Sequence, residues 1–147
     1  MNELPKFSER LTELMFYDDN LPNYKFGQKL GISANAISQW KTGKACPTFS
    51  MFIRLADYFE VSLDYLSGRV DDDVKYKPKK DLPFFPERLM YVLKERGITW
   101  YRVVKETRIN DSNMRNWRRG SLPLIPMLVE LADHIDVSID YLVGRDR

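Results

Sequence analysis

Apolar residues recur at three- and four-residue spacing along most of the chain, and no stretch alternates at period two, which predicts an all-α fold of short helices. Leu11, Leu14 and Met15 form one such stripe, with Ser8 as the expected cap of a first helix. Leu89, Val92 and Leu93 form the matching stripe of a helix running from Pro86. Phe52, Ile53, Leu55, Ala56 and Phe59 define a later helix begun after Pro47 and capped by Thr48; Met127, Leu128, Leu131, Ala132 and Ile135 define its counterpart. Ser62 and Ser138 each cap a short last helix, which Gly68 and Gly144 can end because glycine takes left-handed backbone at little cost.

These pairs belong to a larger repetition. Phe7-Ser8-Glu9-Arg10-Leu11 returns as Phe85-Pro86-Glu87-Arg88-Leu89, Trp40 with Gly43 as Trp117 with Gly120, and Leu55-Ala56-Asp57 as Leu131-Ala132-Asp133. Val61-Ser62-Leu63-Asp64-Tyr65-Leu66-Ser67-Gly68-Arg69 returns as Val137-Ser138-Ile139-Asp140-Tyr141-Leu142-Val143-Gly144-Arg145, in the same order. Only two single-residue gaps separate the copies. The sequence therefore predicts two tandem units of about five helices each, at residues 1–69 and 85–147. Residues 70–84, polar, proline-bearing and without helical apolar spacing, read as the linker.

The stretch from Asn23 to Lys41 is the most informative. A short helix presents Phe26 and Leu30 on one face, Gly31 permits a left-handed stop, Ile32 plugs the bend and Ser33 caps a second helix. Gly27, lacking a side chain, marks a close approach between the two. The second helix turns Ile37 and Trp40 inward and leaves Ala34, Asn35, Ser38, Gln39 and Thr42 outward. Two helices so joined make a helix-turn-helix, whose second helix enters a DNA major groove. Asn and Gln amides bond an adenine edge at two points, so Asn35 and Gln39 are expected base readers, with Gln39 foremost. Ser38 and Thr42 suit bases or phosphates, and Lys41 and Lys44 suit phosphate, so that Lys41→Ala should weaken binding on every sequence.

At these residues the chain resembles the Cro-repressor-like (XRE) helix-turn-helix family of bacterial and phage regulators. The likeness rests on the apolar-small-x-x-apolar-Gly-apolar-Ser run, the Trp and Gly closing the second helix, the Leu-Ala-Asp helix and the Val-Ser-x-Asp-Tyr-Leu-x-Gly-Arg tail. It covers both units. The resemblance implies two lambda-repressor-like five-helix domains and a transcriptional regulator that binds double-stranded operator DNA, commonly as a homodimer. The expected contact set in the first unit is Ser33, Ala34, Asn35, Ser38, Gln39, Lys41, Thr42 and Lys44.

The second unit departs from this pattern. Aligning Trp117 on Trp40 puts Val104 at the close-approach glycine, Thr107 at Leu30 and Arg108 at Gly31, substitutions expected to strain the turn. Its recognition stretch would present Ser112, Arg115 and Asn116, with Arg118 and Arg119 beyond. Asp111 would repel phosphate if it faced the duplex. The unit reads as a second DNA reader, a backbone binder, or a dimerisation or ligand-responsive module.

Composition adds limits. The 147 residues are 44% hydrophobic and 30% charged, an ordinary globular balance. Lys and Arg number 23 against 21 Asp and Glu, too small an excess to diagnose nucleic-acid binding by itself. That excess lies in residues 85–147, where Arg115, Arg118 and Arg119 cluster. One cysteine, Cys46, and one histidine, His134, supply neither an internal disulfide nor a zinc set, so no metal or cofactor is expected. Cys46 reads as an inert thiol and His134 as a boundary residue. Trp40 and Trp117 read as core, as do Tyr65 and Tyr141, each with a partner for its hydroxyl. No leader or membrane-spanning run is recognisable, which gives an expectation of a cytoplasmic protein. No nucleophile–base arrangement, phosphate-cradling loop or carboxylate pair suggests an enzyme. The function expected is a sequence-specific repressor with the helix at 33–42 as principal reader. The alternative is a protein-binding adaptor, antirepressor- or antitoxin-like, that uses the same fold to pair with another regulator.

Overall fold

The computed structural model describes residues 4–72, 76–77 and 81–146, and within them contains ten α-helices and no strand. The first five are α1 (Pro5–Tyr17), α2 (Asn23–Leu30), α3 (Ala34–Thr42), α4 (Phe49–Phe59) and α5 (Leu63–Ser67). The second five are α6 (Phe85–Glu95), α7 (Trp100–Glu106), α8 (Asp111–Arg118), α9 (Ile125–Ile135) and α10 (Ile139–Val143). The chain divides into two compact units, residues 1–76 and 77–147. No described helix is long and apolar enough to cross a membrane.

In the first unit the predicted stripes converge. Phe7, Leu11, Phe26, Ile37, Phe52, Leu55, Leu63 and Leu66 are all at most 1% exposed. Each such side chain contributes roughly 1.5–3 kcal/mol relative to an exposed one. Thr48 and Ser62 accept from the backbone N–H three residues on, at 3.3 and 3.0 Å, as cap residues do. Ser8 does not cap. The helix starts earlier, at Pro5, whose fixed φ and missing N–H suit the first helical position, while buried Leu4 precedes it. Ser8 thus falls inside α1, and its buried hydroxyl donates to the Trp40 carbonyl at 2.7 Å. That bond ties α1 to the last turn of α3.

The recurring Phe-x-Glu-Arg-Leu motif has a structural reason. Arg10 donates to the carbonyls of Tyr65 and Val70 and lies 4.1 Å over the Tyr65 ring. Arg88 donates to the Tyr141 carbonyl at 2.8 and 3.1 Å and lies 4.6 Å over the Tyr141 ring. In each unit, then, an arginine of the first helix holds the end of the last one. Of the segment read as a linker, residues 73–75 and 78–80 lie outside the described residues. Asp71 pairs with α1, 2.8 Å from Arg10 and 3.8 Å from Lys6, and the Tyr76 N–H donates to the Glu60 carbonyl at 2.8 Å.

The second unit has its own core of Phe85, Leu89, Val92, Leu93, Val103, Trp117, Leu128, Leu131, Ile139 and Leu142. Phe85 and Trp117 meet edge to face at 5.2 Å. Ser138 caps α10 at 2.9 Å, and Gly144 ends it with φ 85°. The hydroxyl of Tyr141 bonds Glu95, but that ring is only half-buried, in contrast to Tyr65.

Candidate nucleic-acid interface

The geometry of α2 and α3 follows from a few residues. Phe26 is clamped between Tyr58 and Phe59 of α4, at ring separations of 5.5 and 5.7 Å. Gly31 is left-handed at φ 68°, and Ile32 donates its N–H to the Gly27 carbonyl at 2.9 Å while its side chain is buried. A Cβ on Gly27 would lie 2.2 Å from the Ile32 carbonyl oxygen and 3.2 Å from Ile37, so the chain behind the turn can close only on glycine. From α4, Arg54 donates to the Leu30 carbonyl at 2.8 Å and fixes the end of α2. Ser33 then caps α3 by accepting from Ala36 at 3.1 Å.

With Ile37 and Trp40 at 0% and 3% exposure, α3 is anchored along one side. Its end is closed by left-handed Gly43, φ 78°, and by the Lys44 N–H on the Gln39 carbonyl at 2.9 Å. The outward residues fall where the spacing put them: Asn35, Ser38 and Thr42 are exposed, and Ala34 and Gln39 half-exposed. Among the described residues, no side-chain hydrogen bond engages Asn35, Ser38 or Gln39. Ser33 and Thr42 are partly committed. The Ser33 oxygen accepts from the backbone but keeps its proton to donate, whereas Thr42 spends its proton on the Ser38 carbonyl at 3.0 Å. Lys41, half-buried, donates to Asn23 Oδ1 at 3.2 Å, linking the end of α3 to the start of α2; Lys44 is exposed.

The corresponding segment of the second unit is built differently, and the expected strain is absent. Thr107 follows α7 in an extended conformation, φ −127° and ψ 177°, and Arg108 is not among the residues with positive φ. The Thr107 hydroxyl takes over the glycine's work: it donates to the Val103 carbonyl at 2.7 Å and accepts from the Ile109 N–H at 3.0 Å. Arg108 is held by Glu130 of α9, backbone N–H at 2.7 Å and Nε at 3.1 Å. Ile109 is buried like Ile32. Asn110 and Asn113 then form a reciprocal capping box at 3.0 and 2.9 Å. Val104 is accommodated half-buried.

On α8, Met114 and Trp117 face inward, and Ser112, Arg115, Asn116, Arg118 and the following Arg119 are all exposed. Arg115 Nη2 donates to Ser112 Oγ at 2.9 Å. The Asp111 carboxylate accepts from the Trp100 indole at 2.8 Å, a tie that sequence reasoning missed because nothing in the spacing singled out Trp100. His134 on α9 meets Glu106, the last residue of α7, at 2.7 Å. With Nε2 against a carboxylate the ring donates there, and among the described residues its buried Nδ1 has no hydrogen-bond partner. The His134 bond, then Arg102, hold the Glu106 carboxyl below its ordinary value. Cys46 is exposed in the loop before Pro47.

A buried-backed helix following a tight turn, with its polar face open, defines a helix-turn-helix domain in the first unit. The helix-turn-helix family, of the XRE type, matches residues 20–66, which run from the turn before α2 to α5. A domain of this kind belongs to DNA-binding transcription regulators. No curated protein and no solved structure matches the chain significantly.

Proposed function

We propose that this chain is a sequence-specific DNA-binding repressor that lays α3 in the major groove. One observation supports the reading: Asn35, Ser38 and Gln39 are presented on a helix fixed from behind by Ile37 and Trp40, and among the described residues their side chains have no hydrogen bond to break before they meet a base. Asn35 and Gln39 each suit the two-point edge of adenine, and the Ala34 methyl suits the thymine methyl. Ser38 bonds a base or a phosphate. Ser33, Lys41 and Lys44 flank this face and suit phosphate, with Thr42 confined to accepting. Repression is the simplest consequence, because occupancy of an operator blocks transcription without a further partner. Arg118 and Arg119 add phosphate attraction from the second unit.

Fluorescence anisotropy with labelled genomic fragments and random duplexes, at several salt concentrations, tests this. The expected result is salt-sensitive binding with a subset of fragments preferred. Gln39→Ala should remove that preference by weakening particular base positions, worth about 1–3 kcal/mol. Lys44→Ala should weaken all sequences evenly and lower the salt slope by about one. Absence of salt-sensitive retention on every DNA would overturn the proposal and favour the adaptor reading.

A further inference from the structure

The outward faces of α3 and α8 differ in kind. On α3 the groups at Asn35, Ser38 and Gln39 are neutral amides and a hydroxyl; at the equivalent positions α8 carries Ser112, Arg115 and Asn116. Arginines of this unit differ in their partners. Arg102, Arg108 and Arg145 of the same unit are each paired with a carboxylate, at 3.3, 3.1 and 2.6 Å. Among the described residues Arg115, Arg118 and Arg119 have no carboxylate within ion-pairing distance, and the nearby acid Asp111 is bonded to Trp100. Arg118 and Arg119, at the end of the helix, sit where Lys41 and Thr42 sit in the first unit, at the flank suited to phosphate. Arg115 sits in the middle of the outer face. Ser112 takes one of its five N–H donors at 2.9 Å and so aims the fork, leaving the other donors to the solvent side.

We propose that Arg115, oriented by Ser112, reads guanine through its O6 and N7, so that a single chain recognises an operator of two unlike parts, one adenine-directed through α3 and one guanine-directed through α8. Arginine on guanine is the commonest specific base contact, and the planar fork matches those two acceptors. The proposal rests on the DNA-binding reading above and adds to it the composition of the target. It dispenses with a palindrome, because each half-site has its own reader within one polypeptide.

Selection from a random duplex pool with the intact chain tests it, run for the wild type, Gln39→Ala, Arg115→Ala and Arg115→Lys. The expected wild-type consensus has two dissimilar parts. Arg115→Ala should lower the preference for guanine in one part by about 5- to 150-fold while the other part persists. Gln39→Ala should do the reverse. Arg115→Lys keeps the charge and loses the planar fork, so overall affinity should be retained and guanine preference reduced. A single or palindromic consensus, or a guanine preference unchanged in Arg115→Ala or fully kept in Arg115→Lys, would overturn the inference and leave the regulator reading standing. Failure of the wild type to enrich any sequence would overturn both.

Discussion

Asp64 with Arg69, and Asp140 with Arg145, show how one pairing does different work in two settings. Arg145 is 1% exposed with its guanidinium 2.6 Å from Asp140, whereas the Arg69 side chain is 19% exposed at 2.8 Å from Asp64. Removing one partner of a fully buried pair leaves a desolvated charge and costs about 3–5 kcal/mol, less where water reaches the gap. Arg145→Ala should therefore lower stability in denaturant unfolding more than Arg69→Ala does. The recurrence of Asp and Arg five residues apart was visible in the sequence, but its meaning was not, because spacing alone does not say which way either side chain turns. Glu106 gives a pH dependence. Its folded value lies below the ordinary 4.5, first through the His134 bond and then through Arg102. The stability it contributes is complete above the ordinary value and is lost as pH falls through the lower, folded one. Thermal melts taken into acid should show a shallower loss for Glu106→Gln than for the wild type.

The helices were legible almost wherever a cap and a stripe coincided. Ser33, Thr48, Ser62 and Ser138 each accept the expected backbone N–H, because local capping geometry needs only a few neighbouring residues. Ser8 misled because it has the chemistry of a cap while Pro5 has the geometry of a helix start; tertiary contact with the Trp40 carbonyl decided its role. The turns separate the units more sharply. At Gly27 the space behind the turn is closed, so Gly27→Ala should cost about 1–3 kcal/mol or more and abolish DNA binding by the first unit as α3 shifts. In the second unit Thr107 and Glu130 stabilise an extended turn that no comparison with Gly31 could reveal, since the substitute is a pair of side-chain bonds. Arg108→Gly, which restores the residue type of the first unit, should lower rather than raise the melting temperature, by discarding the guanidinium contact with Glu130 and loosening the backbone.

Over the whole molecule, near-neutral charge hides a local arrangement: carboxylates neutralise Arg102, Arg108 and Arg145 of the second unit, and among the described residues none pairs with the arginines on α8. The five-helix plan of each unit and the polar face of α3 could be read from periodicity, because inward and outward positions on a helix alternate by geometry alone. The arrangement of Ser112 and Arg115 and the withdrawal of Asp111 toward Trp100 could not, since they depend on rotamers, set within α8 for the first and by Trp100 of α7 for the second. The proposed recognition of DNA turns on the exposed side of α3. Nuclear magnetic resonance of the isotopically labelled chain, titrated with a selected duplex, observes that side directly through the side-chain amides of Asn35 and Gln39. Both amide signals should shift or broaden strongly as duplex is added, together with the backbone signals of Ser33 to Lys44. Unchanged Asn35 and Gln39 amides at saturating duplex would contradict it.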